Sequence, residues 1–170
     1  LAGKDELAGG TWLGTNKEGK FAAITNLKES NDRKYQSSRG SLVTDYLESN
    51  ESAKTYLENI EPDKDKFAGF NLIVGDKDGL FYLCNRMEGI FFLNEGTHAL
   101  GNLTLNASTQ KVEAIKMDLD GLLHEGFSQA KAIALMKKDY GSLHEKTKRE
   151  LKARDGEEIP FRFIRSPIYG

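Results

Sequence analysis

Residues 69–85 have the sequence GFNLIVGDKDGLFYLCN, in which two apolar runs flank the polar turn DKDG. Both runs are rich in β-branched and aromatic residues, and a turn containing Gly between such runs is typical of an antiparallel hairpin. In the second run, residues 80, 82 and 84 share one face and residues 81, 83 and 85 share the other, and both faces are largely apolar. The sequence therefore predicts a strand that is covered on both sides.

Two more turns containing Gly extend this pattern in both directions. The turn NKEG at 16–19 separates predicted strands at 11–15 and 20–26, and the turn RMEG at 86–89 leads into a predicted strand at 90–93. Short strands joined in this way predict a series of consecutive antiparallel hairpins.

Helical periodicity appears between and after these hairpins. Apolar residues recur at helical spacing in two groups, Leu42, Val43, Tyr46 and Leu47, then Ala53, Tyr56, Leu57 and Ile60. Pro62 is predicted to end the second helix. Later segments predict helices at 111–123 and 127–138, a charged helix from Ser142 to Arg154, and a strand at 159–164. This order indicates an α+β fold in which helices pack on an antiparallel sheet.

Length and composition limit the class of protein. The chain has 170 residues, which favours a single domain over residues 1–170. Its net charge of −2 argues against a general nucleic-acid-binding protein, which needs a basic excess. The sequence has no run of 18 apolar residues, so it predicts no transmembrane helix. A single cysteine, Cys84, excludes an internal disulfide.

Few residues carry an obvious chemical signal by themselves. The three histidines lack the spacing of a helical metal site, so no protein-only metal site is predicted. Trp12, flanked by glycines, is expected to be largely buried, either in the core or at the mouth of a cleft. Arg39, at the start of the first helix, is able to hold a carboxylate. Asn26 and Asn102 each close a strand-like run, where an amide either donates to an oxyanion or caps the strand.

The order of several short motifs is more specific than any one of them. The motifs are GGTWLG at 9–14, GKFAAITN at 19–26, SRG at 38–40, GFNLIVGD at 69–76 and NR at 85–86. In this order and spacing, the chain resembles the transport and Golgi organization protein 2 family, also called the NRDE family. The resemblance covers residues 1 to about 123. It implies that the family's N-terminal Met-Cys strand, its NRDE motif and its last two strands lie outside this sequence, which starts at Leu1 and holds most of one domain.

The resemblance carries expectations about fold and site. It implies a four-layer αββα sandwich like that of the N-terminal nucleophile hydrolases, with an N-terminal Cys in the nucleophile position. Asn26 and Asn102 match the oxyanion positions, although Gly101 stands where the family usually has Ser. The candidate ligand-binding residues are Trp12, Arg39, Asn71, Arg86 and His98.

The resemblance also implies a function, namely haem trafficking with haem as the cargo, linked to Golgi organisation and lipid homeostasis. Two alternatives stay open: an amidohydrolase whose Cys nucleophile precedes Leu1, and a protein that binds acyl-lipid or acyl-coenzyme A. By ligand softness alone, His98, Met87 and Cys84 are candidate axial ligands. The expected location is the cytoplasm, with mitochondrial or Golgi association and peripheral contact with membranes, and the oligomeric state is left open.

Overall fold

A computed structural model describes residues 2–3, 9–27, 35, 37–101 and 103–138. It divides into two compact units, one within residues 1–96 and 100–105 and the other within 97–99 and 106–138. The predicted helix from Ser142 to Arg154, the predicted strand at 159–164 and Asn102 lie outside the described residues.

The first unit contains a five-stranded antiparallel sheet whose spatial order follows the chain, β1-β2-β3-β4-β5. The strands are β1 (Leu13–Thr15), β2 (Phe21–Asn26), β3 (Phe70–Asp76), β4 (Gly79–Cys84) and β5 (Ile90–Leu93). In the register, Leu72 lies opposite both Ile24 and Leu83. All five predicted strands in this part of the chain are confirmed to within two residues at each end.

Two helices cover one face of the sheet. They are α1 (Arg39–Glu48) and α2 (Ala53–Ile60), with Ser38 and Ser52 as their N-caps. A 3-10 helix (Glu61–Lys66) follows α2 and carries Pro62 in its first turn, so the α-helix ends before this proline as predicted. The apolar stripes predicted on both helices are confirmed in one core: Leu42, Val43, Tyr46, Tyr56 and Leu57 pack against Ala22, Ile24, Phe70, Leu72, Val74 and Leu83.

The turn between β1 and β2 fixes the end of α1. The Asn16 amide donates to the carbonyl of Leu47 over 2.8 Å. The Lys20 ammonium, which is only 6% exposed, donates to the carbonyl of Ser49 and lies 4.7 Å from the centre of the Tyr46 ring. A cation at this end complements the helix dipole and satisfies carbonyls that have no partner within the helix.

Two glycines bring the segment before β1 against the start of α1. The amide of Thr11 donates to the carbonyl of Gly40 over 3.3 Å. A Cβ built on Gly10 would lie 2.4 Å from the carbonyl carbon of Gly40. No side chain fits there, so the approach requires glycine.

We therefore expect Gly10→Ala to lower the free energy of unfolding by about 2–3 kcal/mol, because the backbone of α1 must move to admit the methyl group. Denaturant titration measures this change. Gly3→Ala is the matched control, since Gly3 belongs to the same unit and a Cβ there meets nothing within 4 Å. Equal stability of the two variants would contradict the close approach.

The second unit contains α3 (Gln110–His124) and α4 (Gln129–Lys137), which begin at the N-caps Thr109 and Ser128. Both helices were predicted and both are confirmed. Together with the antiparallel sheet they confirm the α+β class.

The predicted cover on both faces of β4 is wrong at one end of the strand. Tyr82 and Cys84 are buried, but Leu80 is 41% exposed. Helices α1 and α2 pack on one face of the sheet alone, so the end of β4 next to the turn at 77–78 presents apolar side chains to solvent on the other face.

Candidate functional site

The face of the sheet that α1 and α2 leave uncovered is apolar, and we call it the open face. It is formed by Leu13, Phe21, Ala23, Ile73, Leu80 and Phe91. Four of these side chains are 37–58% exposed: Leu13, Phe21, Leu80 and Phe91. Large apolar side chains that are exposed together on one surface are typical of a binding site.

The sheet register explains why these residues lie together. Leu13 pairs with Ala23, Ala23 with Ile73, and Ile73 with Tyr82, whose other neighbour is Phe91. One row of side chains thus crosses all five strands, over roughly 19 Å at the usual strand spacing. Tyr82, the fourth member of this row, is buried, and the exposed members of the open face lie on β1, β2, β4 and β5.

A polar cluster borders the open face where β2, β3 and β4 run side by side. Its members are Thr25, Asn71 and Tyr82, and we call it the triad. Tyr82 donates its hydroxyl proton to Oδ1 of Asn71 over 2.7 Å, and Nδ2 of Asn71 lies 3.2 Å from Oγ1 of Thr25. Asn71 is completely buried, so these bonds offset the cost of burying its amide.

The triad also binds a segment that crosses the sheet, residues 100–101 and 103–105, which we call the strap. Thr25 donates to the carbonyl of Gly101 over 3.0 Å, and Nδ2 of Asn71 donates to the carbonyl of Leu103 over 2.9 Å. The amide of Leu105 donates to the Tyr82 hydroxyl over 3.2 Å. Three strands therefore hold one short segment through side chains.

The underside of the strap is apolar. Leu100 and Leu105 pack against the small core formed by Leu27, Tyr82 and Cys84. Burial raises the pKa of the Tyr82 hydroxyl far above its usual range, so Tyr82 keeps the proton that it donates to Asn71.

Trp12 and Arg39 lie together, outside the open face. The Arg39 guanidinium carbon is 5.8 Å from the centre of the Trp12 ring, and its Nη1 donates to the carbonyl of Gly69 over 3.0 Å. Partial burial lowers the pKa of Arg39. The prediction that Trp12 is largely buried is wrong, because its side chain is 40% exposed. Gly10 packs directly on Gly40, and the ring lies beside Arg39 rather than in the core.

The other predicted site residues lie apart from the open face. Asn26 pairs with Phe70 in the register, on the face that α1 and α2 cover. Arg86 follows β4 and is exposed, and its Nη1 donates to the carbonyl of Asn85. Of the candidate ligand-binding residues, Asn71 alone belongs to the triad. Asn102 follows Gly101 and precedes Leu103 in the sequence, but lies outside the described residues.

The candidate axial ligands have different surroundings. Cys84 is completely buried, and its Sγ accepts from the amide of Arg86. Nδ1 of His98 lies 3.0 Å from Nδ2 of Asn106, whose Oδ1 accepts from the amide of Ala99. That second bond orients the Asn106 amide, so Nδ2 donates to His98, and the proton of the neutral imidazole belongs on Nε2.

Within the described ranges, no three His, Cys, Asp or Glu side chains gather closely enough to hold a metal ion. No helix in the part of the chain that the structure describes is long and apolar enough to cross a membrane.

Sequence reasoning missed Thr25 and Tyr82. The sequence does contain a pattern that indicates them, because Thr25 and Tyr82 alternate with core residues along their strands. It was hidden because the register between β2 and β3, which places Thr25 beside Asn71, depends on segments far apart in the sequence.

Comparison with known proteins identifies similar sequences. The model of the family described as Transport and Golgi organisation 2 matches residues 1–168. The Transport and Golgi organization 2 homolog of Mus musculus is 33% identical over 111 residues, covering 62% of this chain and 40% of that protein. The homologs of Bos taurus and Homo sapiens are each 34% identical over 110 residues, covering 61% of this chain and 40% of each protein. This chain thus spans about 40% of the length of the curated relatives it matches.

Proposed function

The chain belongs to the Transport and Golgi organisation 2 family, and on that premise we propose that it binds haem as a cargo and passes it on. The observation that carries the proposal is the open face. A haem ring is planar and largely apolar, and an exposed apolar sheet surface buries one side of such a ring without enclosing it. A ring that is buried on one side only stays accessible for transfer to an acceptor.

The surroundings of the candidate axial ligands support cargo binding through apolar contact. Cys84 lies beneath the strap, and His98 accepts a hydrogen bond at Nδ1. In this proposal the affinity comes from ring contact with side chains such as Phe91 and Leu80, which are exposed before binding. Contact of this kind contributes in proportion to the apolar area that is removed from water.

The proposal includes the wider context that the family implies. We also propose the four-layer αββα sandwich of the N-terminal nucleophile hydrolases, whose second sheet would pack beside the bound ligand and leave one side of its ring accessible. We further propose that the protein works in the cytoplasm, in association with the Golgi or mitochondria, and that haem handling connects it to Golgi organisation and lipid homeostasis.

We expect Phe91→Ser to weaken hemin binding at least about tenfold, because a large part of the contact surface is removed. Titration of hemin followed by its Soret absorbance measures the dissociation constant. Phe92→Ser is the matched control, since Phe92 is the next residue of the same edge strand, is 53% exposed and packs on Phe81 on the opposite face. Equal weakening by both substitutions would contradict the proposed surface.

Palmitoyl-coenzyme A serves as the competing ligand in the same titration, because the family resemblance leaves an acyl-binding function open. A dissociation constant for palmitoyl-coenzyme A that is lower than the one for hemin would favour the acyl-binding alternative.

A further inference from the structure

We propose that Thr25, Asn71 and Tyr82 are specificity-determining residues, which hold the strap on the sheet and thereby restrict the site to flat ligands. This inference rests on the proposed function for the identity of the ligand. The attachment of the strap to the sheet by the triad rests on the hydrogen bonds described above.

The strap divides the apolar side of the sheet into two parts. The open face is exposed, whereas Tyr82 and Cys84 are 2% and 0% exposed. Leu100 and Leu105 pack on this buried part, and Ile73 of the open face packs against the same small core. The side chains of the two parts are therefore in contact with each other. They differ because the strap covers one part and leaves the other exposed.

Among the described residues, the hydrogen bonds between the strap and the sheet are made by side chains of the triad. Thr25 and Asn71 hold the carbonyls of Gly101 and Leu103, and Tyr82 accepts from the amide of Leu105. Asn71 connects the other two members, because it accepts from Tyr82 and donates to Thr25. The loss of one member leaves buried polar groups without their partners, which weakens the whole attachment.

The part of the sheet that the strap covers determines which shape of ligand can bind. A rigid ring loses little conformational freedom on binding, so burial of one side is sufficient for affinity. A flexible alkyl chain loses the freedom of every bond that becomes ordered, and it needs a cleft that encloses it. With the strap in place the open face offers no such enclosure. Release of the strap opens a cleft between its apolar underside and Tyr82.

Cys84 reports on the strap without any ligand. It is the single cysteine of the chain and lies in the small core beneath the strap. We expect its reaction with Ellman's reagent, under conditions where the protein is folded, to be at least tenfold faster in Thr25→Val and in Tyr82→Phe than in the unsubstituted protein. Both substitutions keep the side-chain shape and remove the polar contact. Hydrogen exchange at the amide of Leu105 should accelerate in parallel.

Tyr56→Phe is the matched control, because Tyr56 is also buried and donates its hydroxyl proton to the carbonyl of Leu42 on the other side of the sheet. It makes the same chemical change and destabilises the fold without touching the strap. Two results would overturn the attachment of the strap by the triad. One is a Cys84 that reacts no faster in the triad variants than in the unsubstituted protein. The other is a Cys84 that reacts as fast in Tyr56→Phe as in a triad variant of equal free energy of unfolding.

Ligand titrations test the specificity. In the triad variants we expect the affinity for palmitate to rise at least tenfold relative to the affinity for hemin, each compared with the unsubstituted protein. A reactive Cys84 with an unchanged ratio of the two affinities overturns the role in specificity. If the unsubstituted protein binds no hemin, the proposed function fails, while the thiol and palmitate measurements still decide whether the triad restricts alkyl-chain binding.

Discussion

Asn85→Asp should lower the free energy of unfolding by about 3–5 kcal/mol at pH 7, because it places an unpaired carboxylate among carbonyl groups. Asn85 is 4% exposed, and its Oδ1 accepts from the amide of Phe70 over 2.9 Å. Its Nδ2 donates to the carbonyls of Phe67, Ala68 and Lys64 over 3.1, 3.2 and 3.4 Å. An aspartate keeps the contact with the amide of Phe70, whereas its second oxygen repels the three carbonyl oxygens. Urea titration measures the loss.

The loss should depend on pH in a defined direction. Burial among carbonyls raises the pKa of the new carboxyl in the folded state above its unfolded value of about 4. The destabilisation is therefore smallest below about pH 3, where the carboxyl is protonated in both states and donates one hydrogen bond, and it grows as the pH rises. Asn50→Asp adds the same charge at an exposed position and is the control. A loss independent of pH would contradict this account of Asn85.

Stability should also fall steeply in alkaline solution, by about 4 kcal/mol per pH unit above pH 10. Burial raises the pKa values of Tyr46, Tyr56 and Tyr82 far above their usual value of 10. The folded protein keeps three phenol protons that the unfolded chain releases. The stability that these protons contribute is complete below pH 10 and decreases as the pH rises, at about 1.4 kcal/mol per pH unit for each tyrosine.

Thermal melts between pH 8 and 12, with tyrosinate absorbance recorded in the same samples, measure this effect. Tyr56→Phe removes one of the three protons, so its alkaline slope should be about one third shallower. Appearance of all tyrosinate absorbance near pH 10 while the protein remains folded would contradict the burial of these hydroxyls.

Local patterns predicted the elements of this fold well. The turns at 16–19 and 77–78 and the apolar stripes of α1 and α2 depend on residues close together in the sequence, and the structure confirms them. What local pattern could not predict is which face each helix covers. Both faces of β4 are apolar in sequence, but the helices pack on one of them, so Leu80 is exposed.

The candidate site was less predictable for the same reason. Asn71 was singled out within a motif, but its partners Thr25 and Tyr82 depend on the pairing of three strands. The prediction for Trp12 was wrong because flanking glycines indicate close packing of the backbone but do not determine whether the indole ring is buried. The close approach occurs between Gly10 and Gly40, and it leaves the ring beside Arg39.

The sequential order of the strands has a consequence for how the protein folds. Strands β3, β4 and β5 follow one another through short turns, so their pairing closes small loops at little entropic cost. Pairing of β2 with β3 instead joins Asn26 to Phe70 across the whole segment that contains α1 and α2. We expect the three-stranded meander to form the nucleus of the folding transition state, and β1 and β2 to join after it. Changes in the turn at 77–78 then slow folding, whereas changes in the turn at 16–19 mainly speed unfolding.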